Sequence, residues 1–92
     1  MSEKVWVITG FESTESVYKH QLPLASLSEA EVVTLLQRLA ARHLTPDEVV
    51  SASVREDTPG YTNLLEVMPD RGGKYALSVG HHHHYTATIE EI

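Results

Sequence analysis

The sequence contains no cysteine, which excludes disulfide bonds, thiolate metal sites and thiol nucleophiles and is compatible with a reducing cytosol. It also lacks any run of about eighteen apolar residues, the length needed to span a bilayer as a helix. Near the amino terminus, Glu3 and Lys4 stand where a signal peptide would have a basic start and an apolar stretch. We therefore expect a cytoplasmic protein that has no membrane partner.

Basic residues are scarce, because 7 lysines and arginines oppose 13 aspartates and glutamates and leave a net charge of −6. Phosphate backbones and anionic lipid surfaces repel such a chain, so a nucleic acid partner is not expected either. With 92 residues, of which 41% are hydrophobic, the chain has the size and composition of one globular domain spanning residues 1–92.

The first third of the sequence predicts a β-hairpin. Residues 4–9 are rich in β-branched and aromatic side chains on both alternating faces, which favours a central strand. The polar residues 12–15 then supply a turn, and residues 17–22 alternate as a second strand. We expect Pro23 to end that strand, because proline has no N–H to donate to a ladder.

Ser28 and Glu31 form a capping box, which predicts the start of the main helix. Apolar side chains recur at three- and four-residue spacing as far as His43, so one helix face should pack on the sheet. Thr45, Pro46 and Glu48 repeat the cap signature with proline at the first helical position. Only a turn or two of helix is expected there, because the alternation of residues 50–55 favours a strand.

The last third of the sequence predicts a second hairpin. Thr58, Pro59 and Gly60 fit a type II turn, and residues 61–68 and 74–79 are strand-like on either side of a loop at 69–73. The alternation from His81 onward fits either a continuation after a bend at Gly80 or a separate strand. The predicted fold class is therefore α+β, an antiparallel sheet of four or five strands with one main helix packed on one face.

Four consecutive histidines, at positions 81–84, are the one unusual feature of the sequence. In a strand, His82 and His84 would share one face and could aim at one metal ion, for which imidazole nitrogens suit zinc, nickel or copper. The remaining ligands would come from other side chains, for which His20, His43, Glu66 and Glu90 are candidates. The alternative is a strand whose histidines pack, hydrogen-bond or titrate, and no other cofactor is expected.

No catalytic motif is present, so we do not expect an enzyme. Ser51, Ser53 and Ser78 lie outside any Gly-x-Ser-x-Gly elbow. The adjacent carboxylates Glu56–Asp57 and Glu90–Glu91 would point to opposite faces of a strand, so they do not form a working acid pair.

Carboxylates at the predicted helix starts are candidates for partner binding: Glu29, Glu31, Asp47 and Glu48. Exposed acidic groups of this kind steer a basic protein partner, although they also serve solubility alone.

Residues 5–12, residues 17–23 and the capped helix together resemble small bacterial proteins of the toxin-immunity or uncharacterised type, over roughly the first 45 residues. That resemblance implies a stoichiometric inhibitor that covers the active site of a cationic toxin with carboxylates. The leading expectation is therefore a non-catalytic interaction module, most concretely an immunity-like inhibitor of a basic toxin. A histidine-cluster metal-binding protein is the alternative, and a small enzyme is the third candidate.

Overall fold

The computed structural model describes residues 3–70 and 76–92. Over these residues the chain has an α+β fold with an antiparallel five-stranded sheet, which confirms the predicted class. The elements in chain order are β1 (Lys4–Glu12), β2 (Glu15–Pro23), a short 3-10 turn (Leu24–Ser26), α1 (Glu29–Ala41), α2 (Pro46–Ser53), β3 (Met68–Asp70), β4 (Ala76–Gly80) and β5 (His83–Glu91). The strand order across the sheet is β2-β1-β5-β4-β3, so β2 and β3 form its two edges.

Strand β1 lies inside the sheet, as its sequence predicts, between β2 and β5. The side chains of Val5, Trp6, Val7 and Ile8 are all buried. Trp6 is 3% exposed and belongs to the core beneath α1, and its indole N–H donates to the Leu27 carbonyl at 3.1 Å. Trp6 is therefore a core residue.

Helix α1 begins at the predicted capping box. The Ser28 hydroxyl accepts the Glu31 N–H at 3.2 Å, and the Glu31 carboxylate accepts the Ser28 N–H at 3.0 Å. The buried side chains of Val32, Leu36 and Ala40 then pack on the core. One face of one main helix covers one face of the sheet, as the apolar periodicity predicts.

The expected strand near residues 50–55 is wrong, because α2 continues to Ser53. The hydroxyls of Ser51 and Ser53 donate to carbonyls four residues earlier, as they do in a helix, and Val50 is 64% exposed. The alternation of apolar and polar residues from Val50 is short enough to fit the last turn of a helix that the capping box and its leading proline had already started.

The strand expected over residues 61–68 is also wrong except at its end, because β3 begins only at Met68. The preceding segment is a set of turns in which Leu65 is buried in the core and its carbonyl accepts the Gln37 side-chain N–H at 2.9 Å. The turn before it is as predicted, since Gly60 has a φ of 88° and the Tyr61 N–H donates to Thr58.

The predicted hairpin loop at 69–73 falls partly on β3, and residues 71–75 lie outside the described residues. Of the two alternatives for the segment after Gly80, the separate strand is correct, because β5 pairs antiparallel with both β1 and β4.

Candidate functional site

The four acidic residues predicted to bind a partner lie at the two ends of α1. Glu29 and Glu31 are in its first turn, whereas Asp47 and Glu48 are in the first turn of α2, which starts soon after α1 ends. A helix of 13 residues is about 20 Å long, so the two pairs do not form one continuous patch.

Two of these carboxylates already have local partners. Glu31 accepts the Ser28 N–H, and Glu48 accepts the Thr45 N–H at 2.9 Å in the second capping box. The hydrogen bonds from the backbone and hydroxyl of Ser28 lower the pKa of Glu31 below its usual value. Glu31 therefore stays charged and stabilises the start of α1. Its hydrogen bond to Ser28 also fixes the position of the negative charge that a partner would meet.

The structure does not place His82 and His84 on one strand face. His81 and His82 form the bend between β4 and β5, and the strand begins at His83. The bend requires Gly80, whose φ is 94° and where a Cβ would collide with the His83 carbonyl oxygen. The His84 ring stacks on Phe11 with centroids 4.8 Å apart, and its Nδ1 bonds to the His81 carbonyl at 3.1 Å.

His83 instead contacts His43, which follows α1 at the same end of the molecule. Their rings are stacked with centroids 4.2 Å apart and planes 7° from parallel, and His82 meets His83 edge-on at 4.9 Å. The Nε2 atom of His43 and the hydroxyl of buried Tyr85 share a hydrogen bond of 2.7 Å. Tyr85 reaches this position by lying on Gly10, where a Cβ would be 2.7 Å from the tyrosine ring.

A cleft of about 170 Å³ is lined by His43, His82 and His83 and by the apolar side chains of Ala40, Leu44 and Leu64. Partial burial is the main cause that lowers the pKa of His43, with further lowering by His83 and Arg42, and Glu12 opposes the shift. The ring of His43 is therefore mostly neutral at pH 7 and suited to stacking and hydrogen bonding.

The histidine cleft does not have the geometry of a closed metal site. Parallel rings direct their in-plane lone pairs side by side rather than toward one point. Among residues 3–70 and 76–92, no group of three or more histidine, aspartate or glutamate side chains is placed to hold a metal ion. Zinc or nickel binding at His82 and His84 stays a prediction without a convergent ligand set to support it.

A second candidate surface is the outer edge of β2. The opposite edge of the sheet is formed by the three-residue strand β3, which contains Pro69 and is protected in the way that natural sheet edges are. Strand β2 is nine residues long, and all of its residues except Leu22 are exposed. Val17 is 58% and Tyr18 is 44% exposed, and among the described residues no strand pairs with this edge.

An apolar groove of about 600 Å³ lies between α1 and the end of β2, where Leu22 lines it. Its lining includes Leu22, Leu27 and Leu35, with Glu31 and Arg38 at positions two helical turns apart. We call the outer edge of β2 together with this groove the edge-groove surface.

Sequence reasoning missed both surfaces. It named His43 as one candidate ligand among several but did not identify its partners His83 and Tyr85, because the contact joins residues about 40 positions apart. The exposure of β2 depends on the strand order, which no local pattern encodes. Gly10 was the available signal in the sequence, since a glycine inside a strand marks a close approach by another group. In the structure that group is the ring of Tyr85.

No helix in the described part of the chain is long and apolar enough to cross a membrane. Comparison with known proteins found no relative: no protein-family model, curated protein or solved structure matches the chain.

Proposed function

We propose that the chain is a non-catalytic protein-interaction module that binds an extended polypeptide segment at the edge-groove surface. The observation that carries this proposal is the long exposed edge of β2 with an apolar groove at its Leu22 end. A segment added to such an edge gains main-chain hydrogen bonds for affinity, and adjacent pockets select alternate side chains for specificity.

The chemistry of the groove indicates which segment would fit. Leu22, Leu27 and Leu35 favour apolar side chains at alternate positions of the bound segment. Glu31 and Arg38 are about 10 Å apart along α1, so a basic and an acidic side chain at the two ends of the segment would complement them.

An immunity-like inhibitor of a basic toxin is a narrower form of this proposal. The net charge of −6 supports it, because a cationic partner would be attracted over long distances. The placement of Glu29, Glu31, Asp47 and Glu48 adds a requirement: a partner bound by all four must contact both ends of α1.

The test is selection from a display library of random peptides of about ten residues, followed by NMR titration of the best synthetic peptide. We expect enriched peptides with alternating apolar residues, and amide shift changes concentrated at Lys19, Gln21 and Leu35. Selection of no binding peptide, or shift changes confined to another face, would contradict the proposal.

Thr34→Arg supplies the matching variant. Thr34 is exposed and lines the groove, so arginine would occupy the groove while keeping good helix propensity. Peptide affinity should fall at least about tenfold. Val50→Arg, at an exposed position of α2 outside the groove, is the control and should bind the peptide as the unchanged protein does.

A further inference from the structure

We propose that in the free protein the edge of β2 is covered by β2 of a second copy of this chain, paired antiparallel about a two-fold axis at His20. The inference rests on the proposed function, since it uses the edge part of the edge-groove surface. A two-fold axis brings the same strand of both copies together in opposite directions, which is the arrangement that an antiparallel ladder needs.

Access to the edge is unobstructed in the described structure. Every residue from Glu15 to Gln21 is exposed, and among the described residues no strand pairs with the outer side of β2. The irregularity between Gly10 and Phe11 leaves Val17 without a counterpart on β1, so regular pairing starts at Tyr18. The usable segment is residues 18–22.

The outward-facing backbone groups follow from the pairing of β2 with β1. Pro23 lies opposite Val5, and because proline has no N–H, this pair cannot exchange two hydrogen bonds. Residues alternate between bonded and non-bonded pairs along an antiparallel ladder. We infer that Lys19 and Gln21 direct their N–H and C=O groups away from β1, toward the second copy.

The side chains then select one register. An axis at Lys19 would place lysine opposite lysine, which is destabilising, and an axis at Gln21 would pair Lys19 with Pro23, which lacks a donor. An axis at His20 pairs Lys19 with Gln21 of the second copy, twice, through residues that both have outward backbone groups. It also pairs Tyr18 with Leu22 of the second copy, twice.

The faces of the sheet agree with this register. Tyr18, His20 and Leu22 lie opposite Gly10, Ile8 and Trp6, so all three are on the face that carries α1. The rings of Tyr18 and His20 are already stacked, with planes 6° from parallel. Pairing at His20 continues this row of aromatic and apolar side chains across the junction and covers part of the exposed surface of Tyr18.

The test uses opposite charges at one exposed position, Gln21, which lies beside Lys19 of the second copy in the proposed register. Gln21→Glu creates two Glu–Lys pairs between the copies and should tighten the dimer, by roughly threefold to tenfold in the dissociation constant. Gln21→Lys creates two Lys–Lys pairs and should weaken it by a similar factor. If net charge alone controlled the dimer, Gln21→Glu would weaken it and Gln21→Lys would tighten it, because each chain carries a net charge of −6.

Sedimentation equilibrium at high protein concentration measures these constants, since so short a paired segment gives a weak dimer. Val50→Glu and Val50→Lys make the same charge changes on α2 and report the effect of net charge by itself. A monomer at every concentration, or a dimer whose Gln21 variants shift in the same direction as the Val50 variants, would overturn the inference. Neither of these results contradicts the proposed function, which the peptide selection tests separately. Failure of the peptide selection, in turn, does not change the result of the dimer measurement.

Discussion

His43 follows the end of α1 and connects it to β5, which is far away in the sequence. Its side chain shares a hydrogen bond with Tyr85 and stacks on His83, and both of these residues belong to β5. Protonation of His43 would place a charge against His83 and Arg42, and Glu12 would partly offset it. Partial burial is the main cause that lowers the pKa of His43 in the folded chain, and His83 and Arg42 lower it further, so the unfolded chain takes up a proton at higher pH. The stability that the neutral ring supplies is complete above its unfolded pKa of about 6.5 and is lost as the pH falls toward the folded value.

We therefore expect the free energy of unfolding to fall between about pH 8 and about pH 5, and to fall less in His43→Phe, which keeps a stacking ring but cannot titrate. Denaturant titrations followed by the fluorescence of Trp6, the only tryptophan, measure both proteins. The comparison isolates His43 from the other histidines, which both proteins share. Equal pH dependence in the two would show that this ring is not the titrating group.

At the scale of elements, α1 owes its boundaries to local interactions. Removing the Ser28 hydroxyl in Ser28→Ala leaves the Glu31 N–H without its acceptor and should cost about 1 kcal/mol of unfolding free energy. Thr34→Ala removes an exposed hydroxyl from the interior of the same helix, where it donates to the Ala30 carbonyl, and should raise stability by about 0.5 kcal/mol. Both variants lose a hydroxyl, so opposite changes in the free energy of unfolding would assign the effect of Ser28→Ala to helix capping. Equal decreases in the free energy of unfolding of both variants would contradict the capping argument.

The same distinction between local and distant interactions explains what the sequence could predict. Capping boxes at Ser28 and Thr45 and the periodicity of α1 depend on residues three or four apart, so their helices were identifiable. The nature of β5 depends on pairing with β1, some 80 residues earlier, and remained open until the register was known. The histidine cleft and the exposed edge of β2 depend on that same register and strand order, and could not be found from local patterns.

At the scale of the whole molecule, the sheet has one protected edge and one open edge. Strand β3 is short and contains Pro69, whereas β2 is nine residues long, exposes Val17 and Tyr18, and carries one lysine, Lys19. A long, partly apolar edge is a site for pairing between chains, and a lysine on it is a common natural protection. We therefore expect the open edge to control association at high protein concentration.

We expect Val17→Lys to reduce the loss of soluble protein on heating or concentration, while the free energy of unfolding changes by less than about 0.5 kcal/mol because Val17 is exposed. Val50→Lys is the matched control, since Val50 is a similarly exposed valine, 64% against 58%, on a helix rather than a strand edge. Light scattering at equal protein concentration measures aggregation of both variants. If Val50→Lys protects as well as Val17→Lys does, lower surface hydrophobicity rather than the edge of β2 is responsible, whereas protection by Val17→Lys alone assigns aggregation to that edge.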